Sequence, residues 1–384
     1  MKRLSIISIL FCIINTGSLY SQNISEDYYF PIPDTSLAVI DSEEQSFVVD
    51  TVVSNLTTPW GIAFLPDNTV LITERPGNLR LVRNGKLSEE LVDGVPDVYA
   101  SGQGGLFDIA LHPDYDENGW IYITYANPGE EGGHTALMRA KLSGNSLTDQ
   151  EVLFEANPFT TAGQHFGGRI AFDGNGYLFL SVGDRGDKEK AQDRSTYNGN
   201  IIRLHDDGRI PSDNPFVNES NSKPEIYSYG HRNPQGMVMH SETGMLWTNE
   251  HGPRGGDEIN IIREGLNYGW PEISYGINYD GSILTELNQM EGMEQPTYYW
   301  KPSIAPSGMA FISSDRYTGW KDNLFSGALS FQLVSRSVVH NDRIIHEERL
   351  LEGIGRIRDI EMGPDGLLYI LDESGGKVLR LYPR

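Results

Sequence analysis

Short apolar stretches recur along the chain, each an apolar triplet followed by a turn and then by a second strand-like stretch. The turns contain Pro, Asp, Gly or Asn, which favour tight turns or tolerate a positive φ. Two short alternating strands around such a turn are the signal of a β-hairpin. The pattern occurs six times, at 61–74, 108–125, 169–184, 236–250, 308–328 and 359–373.

Six copies of a multi-strand unit favour an all-β chain folded as a six-bladed β-propeller with four-stranded antiparallel blades. A pair of β-sandwiches or a β-helix would also repeat short strands, but the long, unequal insertions between copies count against the β-helix. The 42 glycines and the lack of long segments with a helical period agree with an all-β fold. In a propeller the inner strands line a central channel, and loops at one end form the site.

The N-terminus follows a different pattern. Lys2 and Arg3 precede an apolar run over 4–14, and small and polar residues follow as far as Ser21. This order predicts a signal peptide over 1–21 and a secreted or periplasmic protein. The apolar run is too short for a membrane anchor, because a spanning helix needs about 20 apolar residues.

Composition narrows the choice of partners. Residues 22–45 are polar and acidic and predict a flexible lead-in, so the propeller is expected over 46–384. The only cysteine, Cys12, lies in the predicted signal, which leaves the mature chain without disulfides. A net charge of −23 argues against nucleic acid and anionic membranes as partners. No later stretch is apolar enough to insert the mature chain into a membrane.

Polar residues stand directly before several of the predicted inner strands. His165, in AGQHFGGRIAF, is followed by an aromatic residue and two glycines, and we interpret these glycines as leaving room for a ligand beside it. Gln103, in SGQGGLFDIAL, has the same position in its own repeat, as do Arg232 and Asn233 in SYGHRNPQG. We therefore expect these side chains to meet at one end of the channel.

Two further stretches point to ions. The run NEHGPRGGDEIN combines an irregular Gly/Pro loop with Asp257 and Glu258, and carbonyl and carboxylate oxygens are calcium ligands. A solvated acidic turn without a bound ion would show the same pattern of residues. Arg356 and Arg358 in GIGRIRDIEM share one face of a strand, which is costly unless an anion lies between them or the strand is a solvated edge. A flat polyanion would fit this channel mouth.

From about residue 47 onward, the chain resembles the soluble PQQ-dependent aldose sugar dehydrogenases of the glucose/sorbosone dehydrogenase family. The resemblance rests on PWGIAFLPD, GQGGLFDIALHPD, HFGGRIAFDGNGYLF, YGHRNPQGM, NEHGPRGGDEINIIREGLNYGWP and RIRDIEMGPDGLLYIL. The family fold is a six-bladed propeller, in agreement with the repeat count.

The resemblance implies roles for individual residues. His165 matches the general base and Asp184 a carboxylate beside it, and Arg232 would help to polarise the reacting carbonyl. Gly252 and Pro253 match backbone carbonyls that hold an active-site Ca²⁺. Glu258 and Tyr268 match ligands of a further Ca²⁺. The residues that match contacts to the cofactor PQQ are Gln103, Arg232, Asn233, Arg356 and Arg358.

One position departs from the family pattern. The family usually carries a lysine after GAL, against a PQQ carboxylate, whereas this chain has Ser330 in GALSFQ. A serine at this place implies weaker cofactor binding unless another cation, such as Arg336, replaces the lysine.

The implied reaction is oxidation of an aldose at C1 to a lactone, with hydride transfer to the quinone and electrons passed to an unknown acceptor. Two other functions remain open. Ser330 favours a propeller that binds a sugar or a protein partner without turnover, as hedgehog-interacting proteins do with a related domain. A calcium-dependent lactonase would need a carboxylate-rich central calcium site, which these motifs do not predict.

Overall fold

The computed structural model describes residues 29–384, and the predicted signal peptide lies outside them. The strands in chain order are β1 (Ile40–Asp41), β2 (Ser46–Val53), β3 (Pro59–Phe64), β4 (Val70–Glu74), β5 (Asn78–Arg83), β6 (Lys86–Leu91), β7 (Leu106–Leu111), β8 (Trp120–Gly129), β9 (Gly132–Ser143), β10 (Ser146–Glu155), β11 (Ile170–Phe172), β12 (Tyr177–Val182), β13 (Asn200–His205), β14 (Ile226–Tyr229), β15 (Pro234–Met239), β16 (Leu246–Glu250), β17 (Asp257–Ile262), β18 (Tyr298–Trp300), β19 (Pro306–Phe311), β20 (Leu324–Ala328), β21 (Leu333–His340), β22 (Arg343–Leu350), β23 (Ile357–Met362), β24 (Leu368–Asp372) and β25 (Lys377–Pro383).

Helices are few and short. The helix α1 (Tyr115–Asn118) and a 3₁₀ helix over Lys188–Gln192 both lie in connections between strands. None of the helices between residues 29 and 384 has the length and apolar character needed to cross a bilayer.

The strands form six antiparallel sheets, which are the blades of a six-bladed propeller. Blades one to five are β3–β6, β7–β10, β11–β14, β15–β18 and β19–β22, each in sequence order from the inside outwards. The sixth blade joins β23, β24 and β25 to β2, and β1 adds a fifth strand at its edge. Because β2 pairs with β25, the two ends of the chain close the ring. The predicted fold class is confirmed.

Each of the six sequence repeats is the inner hairpin of one blade. The apolar triplet is the first strand, and the stretch after the turn is the second, as in β3 paired with β4. All five residues of β4 are buried, because the middle strands are covered on both faces by the neighbouring blades. Ile62 and Ile72 of blade one share a core cluster with Ile360 and Ile370 of blade six.

The segment before the propeller differs from the expectation. Tyr29 and Phe30 are buried in the core, and the Tyr29 hydroxyl donates to the carbonyl of Leu65 at 2.9 Å. The guanidinium of Arg380 donates to the carbonyls of Phe30 and Pro31. Tyr29 and Phe30 of the predicted flexible lead-in therefore pack on the propeller, where their aromatic rings are removed from water.

Candidate active site

One end of the channel collects the polar residues of the repeats. In an antiparallel hairpin, the start of the first strand and the end of the second lie at the same end, so residues just outside these two points are neighbours. The residues that precede the first strands of blades two, three, four and six are Gln103, His165, Asn233 and Arg356. The residues that follow the second strands of blades one, three, four and six are Arg75, Asp184, His251 and Glu373.

His165 and Asp184 form a buried pair. Nδ1 of His165 lies 2.6 Å from Oδ1 of Asp184, and 12% of the His165 side chain is exposed against 1% of that of Asp184. Burial would raise the pKa of Asp184, but the hydrogen bond and charge of His165 and the Gly186 N–H hold this pKa below its ordinary value. The ionised carboxylate accepts a hydrogen bond from Nδ1–H, so Nδ1 keeps its proton and Nε2 is the basic nitrogen.

Burial also lowers the pKa of His165, because the charged imidazolium is disfavoured away from water. The hydrogen bond from His165 to Asp184 opposes this lowering, and the positive charge of Arg232 adds to it. The imidazole therefore stays neutral near pH 7, which is the state in which a histidine can accept a proton.

The backbone of His165 is held in an unusual conformation. Its φ is +54°, in the left-handed region that costs a residue with a side chain about 1–2 kcal/mol. The His165 N–H donates to Oε1 of Gln103 at 2.8 Å, and the guanidinium of Arg185 donates to the carbonyls of Ala162 and Gln164 in the same loop. These bonds fix the direction in which the imidazole leaves the loop.

The glycines beside His165 allow close packing of the backbone in addition to the role predicted for them. Gly167 has φ +68°, and a Cβ there would lie 2.5 Å from the carbonyl oxygen of Ser181. Gly168 has φ +100°, and its Cβ would lie 2.9 Å from the ring of Phe107. A side chain at either glycine would meet atoms of neighbouring strands, and Gly167 also lines the cavity between the arginines described below. Gly168 allows blades two and three to approach each other, and Gly167 allows its loop to lie against β12 of the same blade.

Arg232 and Asn233 lie at the entrance to blade four, as their motif predicts. The Arg232 side chain donates to the carbonyl of His251 at 3.1 Å, and its backbone N–H donates to Glu250 at 2.7 Å. Asn233 is 1% exposed, and its Nδ2 has no hydrogen-bond partner among the described residues. A buried amide donor without a partner is costly, so Asn233 Nδ2 is a donor to which a ligand oxygen could bind.

Three arginines surround one cavity, which we call the arginine cavity. It is lined by Arg75, Arg356, Arg358, Glu373, Gln103 and His251, together with Trp60, Phe107 and Phe166. Burial lowers the pKa of His251 to about 3, so that residue is neutral. Three guanidinium groups against one carboxylate leave the cavity with an excess of positive charge, although the whole chain carries −23. A multiply charged anion is the ligand that this cavity favours.

Arg356 and Arg358 do line the same cavity, as their spacing predicts. The anion beside Arg358 belongs to the chain: Oε2 of Glu373 accepts from Nη2 at 2.7 Å and from Nε at 2.9 Å. The guanidinium of Arg356 donates to a neutral group, the carbonyl of Leu329, at 3.1 Å. Arg356 is therefore the better placed of the two for an external anion.

Ser330 lies at an exposed turn after β20, next to Leu329, which lines the arginine cavity. Arg336 is 1% exposed and binds Glu348 at 2.7 Å and Glu43 at 3.1 Å. Because two carboxylates already neutralise Arg336, that residue does not replace the missing lysine.

The residues with predicted calcium contacts line a second, smaller cavity, which we call the carboxylate cavity. Its lining includes Gly252, Pro253, Glu258 and Tyr268, together with Arg232, Glu250 and Trp270, and His251 separates it from the arginine cavity. Asp257 is engaged elsewhere, since its oxygens accept from the N–H groups of Gly252 and Ala305. The Tyr268 hydroxyl donates to the carbonyl of Ile261 and accepts from the N–H of Arg263, so the backbone carbonyl of Tyr268 is its group for binding a metal.

Glu250 and Glu258 face each other across β16 and β17. Burial, together with the negative charge of Glu250, raises the pKa of Glu258 to about 8. Like charges directly opposite each other destabilise a sheet, and a cation between them would remove that cost. Within residues 29–384, no group of three or more His, Cys, Asp or Glu side chains has metal-binding geometry, so a cation here would also need backbone carbonyls.

Four further residues of this region were not predicted from the sequence motifs: Arg75, His251, Trp270 and Glu373. Three of them follow directly after the second strand of a repeat, at the ends of β4, β16 and β24. That shared position was visible in the sequence, and Asp184 has nearly the same one. Trp270 comes from a connection outside the repeats, which carries no such signal.

Comparison with known proteins extends these observations. The sequence profile of the Glucose / Sorbosone dehydrogenase family matches residues 56–380. The protein of Escherichia coli (strain K12) named aldose sugar dehydrogenase YliI is 47% identical over 344 residues, which cover 88% of this chain and 93% of that protein.

Solved structures agree with this assignment. The soluble aldose sugar dehydrogenase of Escherichia coli in its apo-form has a TM-score of 0.84 and 44% identity, covering 88% of this chain and 100% of that one. The PQQ-bound form of the aldose sugar dehydrogenase of Streptomyces coelicolor has a TM-score of 0.72 and 28% identity, covering 88% of this chain and 98% of that one. The protein described here belongs to the glucose/sorbosone dehydrogenase family.

Proposed function

We propose that this protein oxidises aldose sugars at C1 to lactones, with PQQ and Ca²⁺ as cofactors and an external electron acceptor. The observation that carries the proposal is the positively charged arginine cavity next to the His165–Asp184 pair, in which the imidazole is neutral. The chain combines a binding place for a polyanion with a base that can take a proton, as sugar oxidation requires.

The residues of the chain fit the cofactor. Arg356, Arg358, Gln103 and the unpartnered Nδ2 of Asn233 would hold the carboxylates and carbonyls of PQQ. The carbonyls of Gly252 and Pro253 would hold Ca²⁺, and Glu258 with the backbone of Tyr268 a further one. PQQ, when bound, supplies an acceptor for the hydride from C1.

The chemistry of the chain itself is proton transfer and charge stabilisation. Nε2 of His165 takes the proton from the C1 hydroxyl of the sugar, while Asp184 keeps Nδ1 protonated and stabilises the imidazolium. Arg232 supplies positive charge on the same side of the channel. The product is a lactone, and with the predicted signal peptide we assign this activity to the periplasm or the exterior of the cell.

A reconstitution experiment tests the proposal. Protein freed of quinone and metal should reduce a redox dye in the presence of aldoses only after both PQQ and Ca²⁺ are added. NAD should not replace PQQ, since the sequence has no strand–helix unit with the G-x-G-x-x-G fingerprint. Arg356→Gln should weaken PQQ binding, whereas Arg343→Gln, an exposed change on β22, should not.

Activity that survives complete removal of quinone and metal would contradict the proposal. If PQQ does not bind at all, the alternative of a propeller that binds a sugar or protein partner without turnover takes its place.

A further inference from the structure

Trp270 contacts the carboxylate of the His165–Asp184 pair from the other side. Its indole Nε1–H donates to Oδ2 of Asp184 at 2.9 Å, while Oδ1 of the same carboxylate lies 2.6 Å from Nδ1 of His165. The Gly186 N–H also donates to Oδ1, at 2.7 Å. Both oxygens are therefore engaged, and the carboxylate cannot turn without losing a bond.

The backbone of Trp270 is fixed on both sides. Its N–H donates to the carbonyl of Gly230 at 2.9 Å, and its carbonyl accepts from Nε2 of Gln192 at 2.7 Å. Gln192 exchanges two further hydrogen bonds with Asn267, at 2.8 Å and 3.0 Å. The indole is thus held in place before any ligand binds, which is what an orienting group needs.

The ring of Trp270 also faces the second charged group of the site. The guanidinium carbon of Arg232 lies 5.3 Å from the centre of the ring, within the range of a cation–π contact. One side chain therefore touches both the partner of the base and the arginine that polarises the reacting group.

We propose that Trp270 is a positioning residue for proton transfer to His165, an inference that rests on the function proposed above. The hydrogen bond from the indole N–H fixes the rotation of the Asp184 carboxylate, so that Oδ1 faces Nδ1 of His165. Nδ1 then keeps its proton, and Nε2 remains the nitrogen that accepts one.

Loss of the indole N–H should change the pH at which His165 is protonated, in a predictable direction. With one donor fewer, the carboxylate of Asp184 is less stabilised and binds the imidazolium of His165 more strongly. The other charged groups that act on His165 are Arg232 and Arg185, and His251 lies nearby in neutral form. A phenylalanine at position 270 keeps an aromatic ring beside Arg232. The midpoint of His165 protonation should therefore move to higher pH.

The test compares Trp270→Phe with Trp300→Phe. Nε1 of Trp300, in blade four, donates to Oε1 of Glu347, in blade five, at 2.8 Å, so the control loses the same kind of bond away from the His165–Asp184 pair. In the enzyme with PQQ and Ca²⁺, Trp270→Phe should lower kcat about tenfold, on the order of the loss of an outer hydrogen bond to a ligating histidine. The acidic limb of its pH profile should move to higher pH, and the control should show neither effect.

A second readout is independent of turnover. In apo-protein labelled with ¹⁵N-histidine, His165, assigned by comparison with His165→Gln, should carry its proton on Nδ1 and titrate at lower pH than in Trp270→Phe. Should phenylalanine prevent folding, 3-benzothienylalanine at position 270 keeps the bicyclic shape and lacks the N–H. An unchanged midpoint together with kcat within twofold of wild type would overturn the inference. A wild-type protein without PQQ-dependent activity would overturn only the proposed function, because the titration would still report on Trp270.

Discussion

The carboxamide of Gln103, in blade two, accepts a hydrogen bond at 2.8 Å from the backbone N–H of His165, in blade three. One blade therefore holds the backbone of the next in its left-handed conformation, with φ +54° at His165. The direction of the imidazole depends on how two blades pack, and no local signal around His165 contains that information.

His165→Ala should lower kcat by roughly 10²- to 10⁴-fold, because a positioned general base contributes about that much. PQQ affinity should change little, since the arginine cavity and the carboxylate cavity remain intact. Steady-state kinetics and a PQQ titration on the same preparation measure both quantities. His340→Ala, an exposed change at the end of β21, is the matched control. Near-normal turnover in His165→Ala would leave this histidine a structural role only.

The pH dependence of kcat/KM should have an acidic limb below pH 6.5. Only neutral imidazole accepts a proton, and burial lowers the pKa of His165 from 6.5. Activity should therefore be present at and above pH 6.5 and be lost as the pH falls through the lowered pKa. Initial rates in overlapping buffers at fixed ionic strength give the limb. A midpoint above 6.5 would mean that the charge of Asp184 outweighs burial.

Ser330→Lys should tighten PQQ binding about 2- to 30-fold and leave kcat at saturating PQQ nearly unchanged. A hydrogen bond to a charged partner contributes about 0.5–2 kcal/mol more than a neutral one, which corresponds to that factor in Kd. Arg336 does not compensate, because Glu348 and Glu43 already bind it. Fluorescence titration at fixed Ca²⁺ measures the change.

The matched control for this lysine is Ser313→Lys, which adds the same charge at an exposed position beyond the other end of the channel. Equal affinities for PQQ in the Ser330→Lys and wild-type proteins would show that the turn after β20 keeps residue 330 away from the cofactor.

Gly167→Ala should destabilise the fold more than Gly174→Ala. Both glycines have a positive φ, +68° and +73°, so both changes cost about 1–2 kcal/mol of strain. Only at Gly167 would the new Cβ meet another atom closely, the carbonyl oxygen of Ser181 at 2.5 Å; nothing lies within 4 Å at Gly174. The extra loss should be about 1–3 kcal/mol. Urea unfolding gives both values, and equal losses would mean that the loop of His165 relaxes freely.

Calcium should stabilise the protein against heat, and chelation should reverse the effect. A ligand that binds only the native state adds about 2.7 kcal/mol at 100 times its Kd. Glu258→Gln should reduce the calcium-dependent rise in Tm, because Glu258 lines the carboxylate cavity opposite Glu250. Glu264→Gln, an exposed change just after β17, should keep the full rise. The same rise in Tm in both variants would show that calcium binds at another part of the chain.

The amino-acid sequence by itself determined the six hairpins, and from them the blade number and the end of the channel where polar residues gather. This succeeded because turn chemistry and the clustering of apolar residues in short strands are local properties, and because hairpin geometry brings the start of one strand to the end of the next. For the same reason, the sequence was sufficient to place Gln103, His165, Asn233 and Arg356 at one end of the channel.

Only the tertiary structure decided which side chains touch across blades. Gly168 lies against Phe107 of the neighbouring blade, Glu373 neutralises Arg358, and Trp270 reaches Asp184 from a connection outside the repeats. These contacts join residues far apart in the chain, and their distances depend on the packing of whole sheets. A sequence pattern reports which face a residue occupies; the partner that it meets there is set by the closure of the ring.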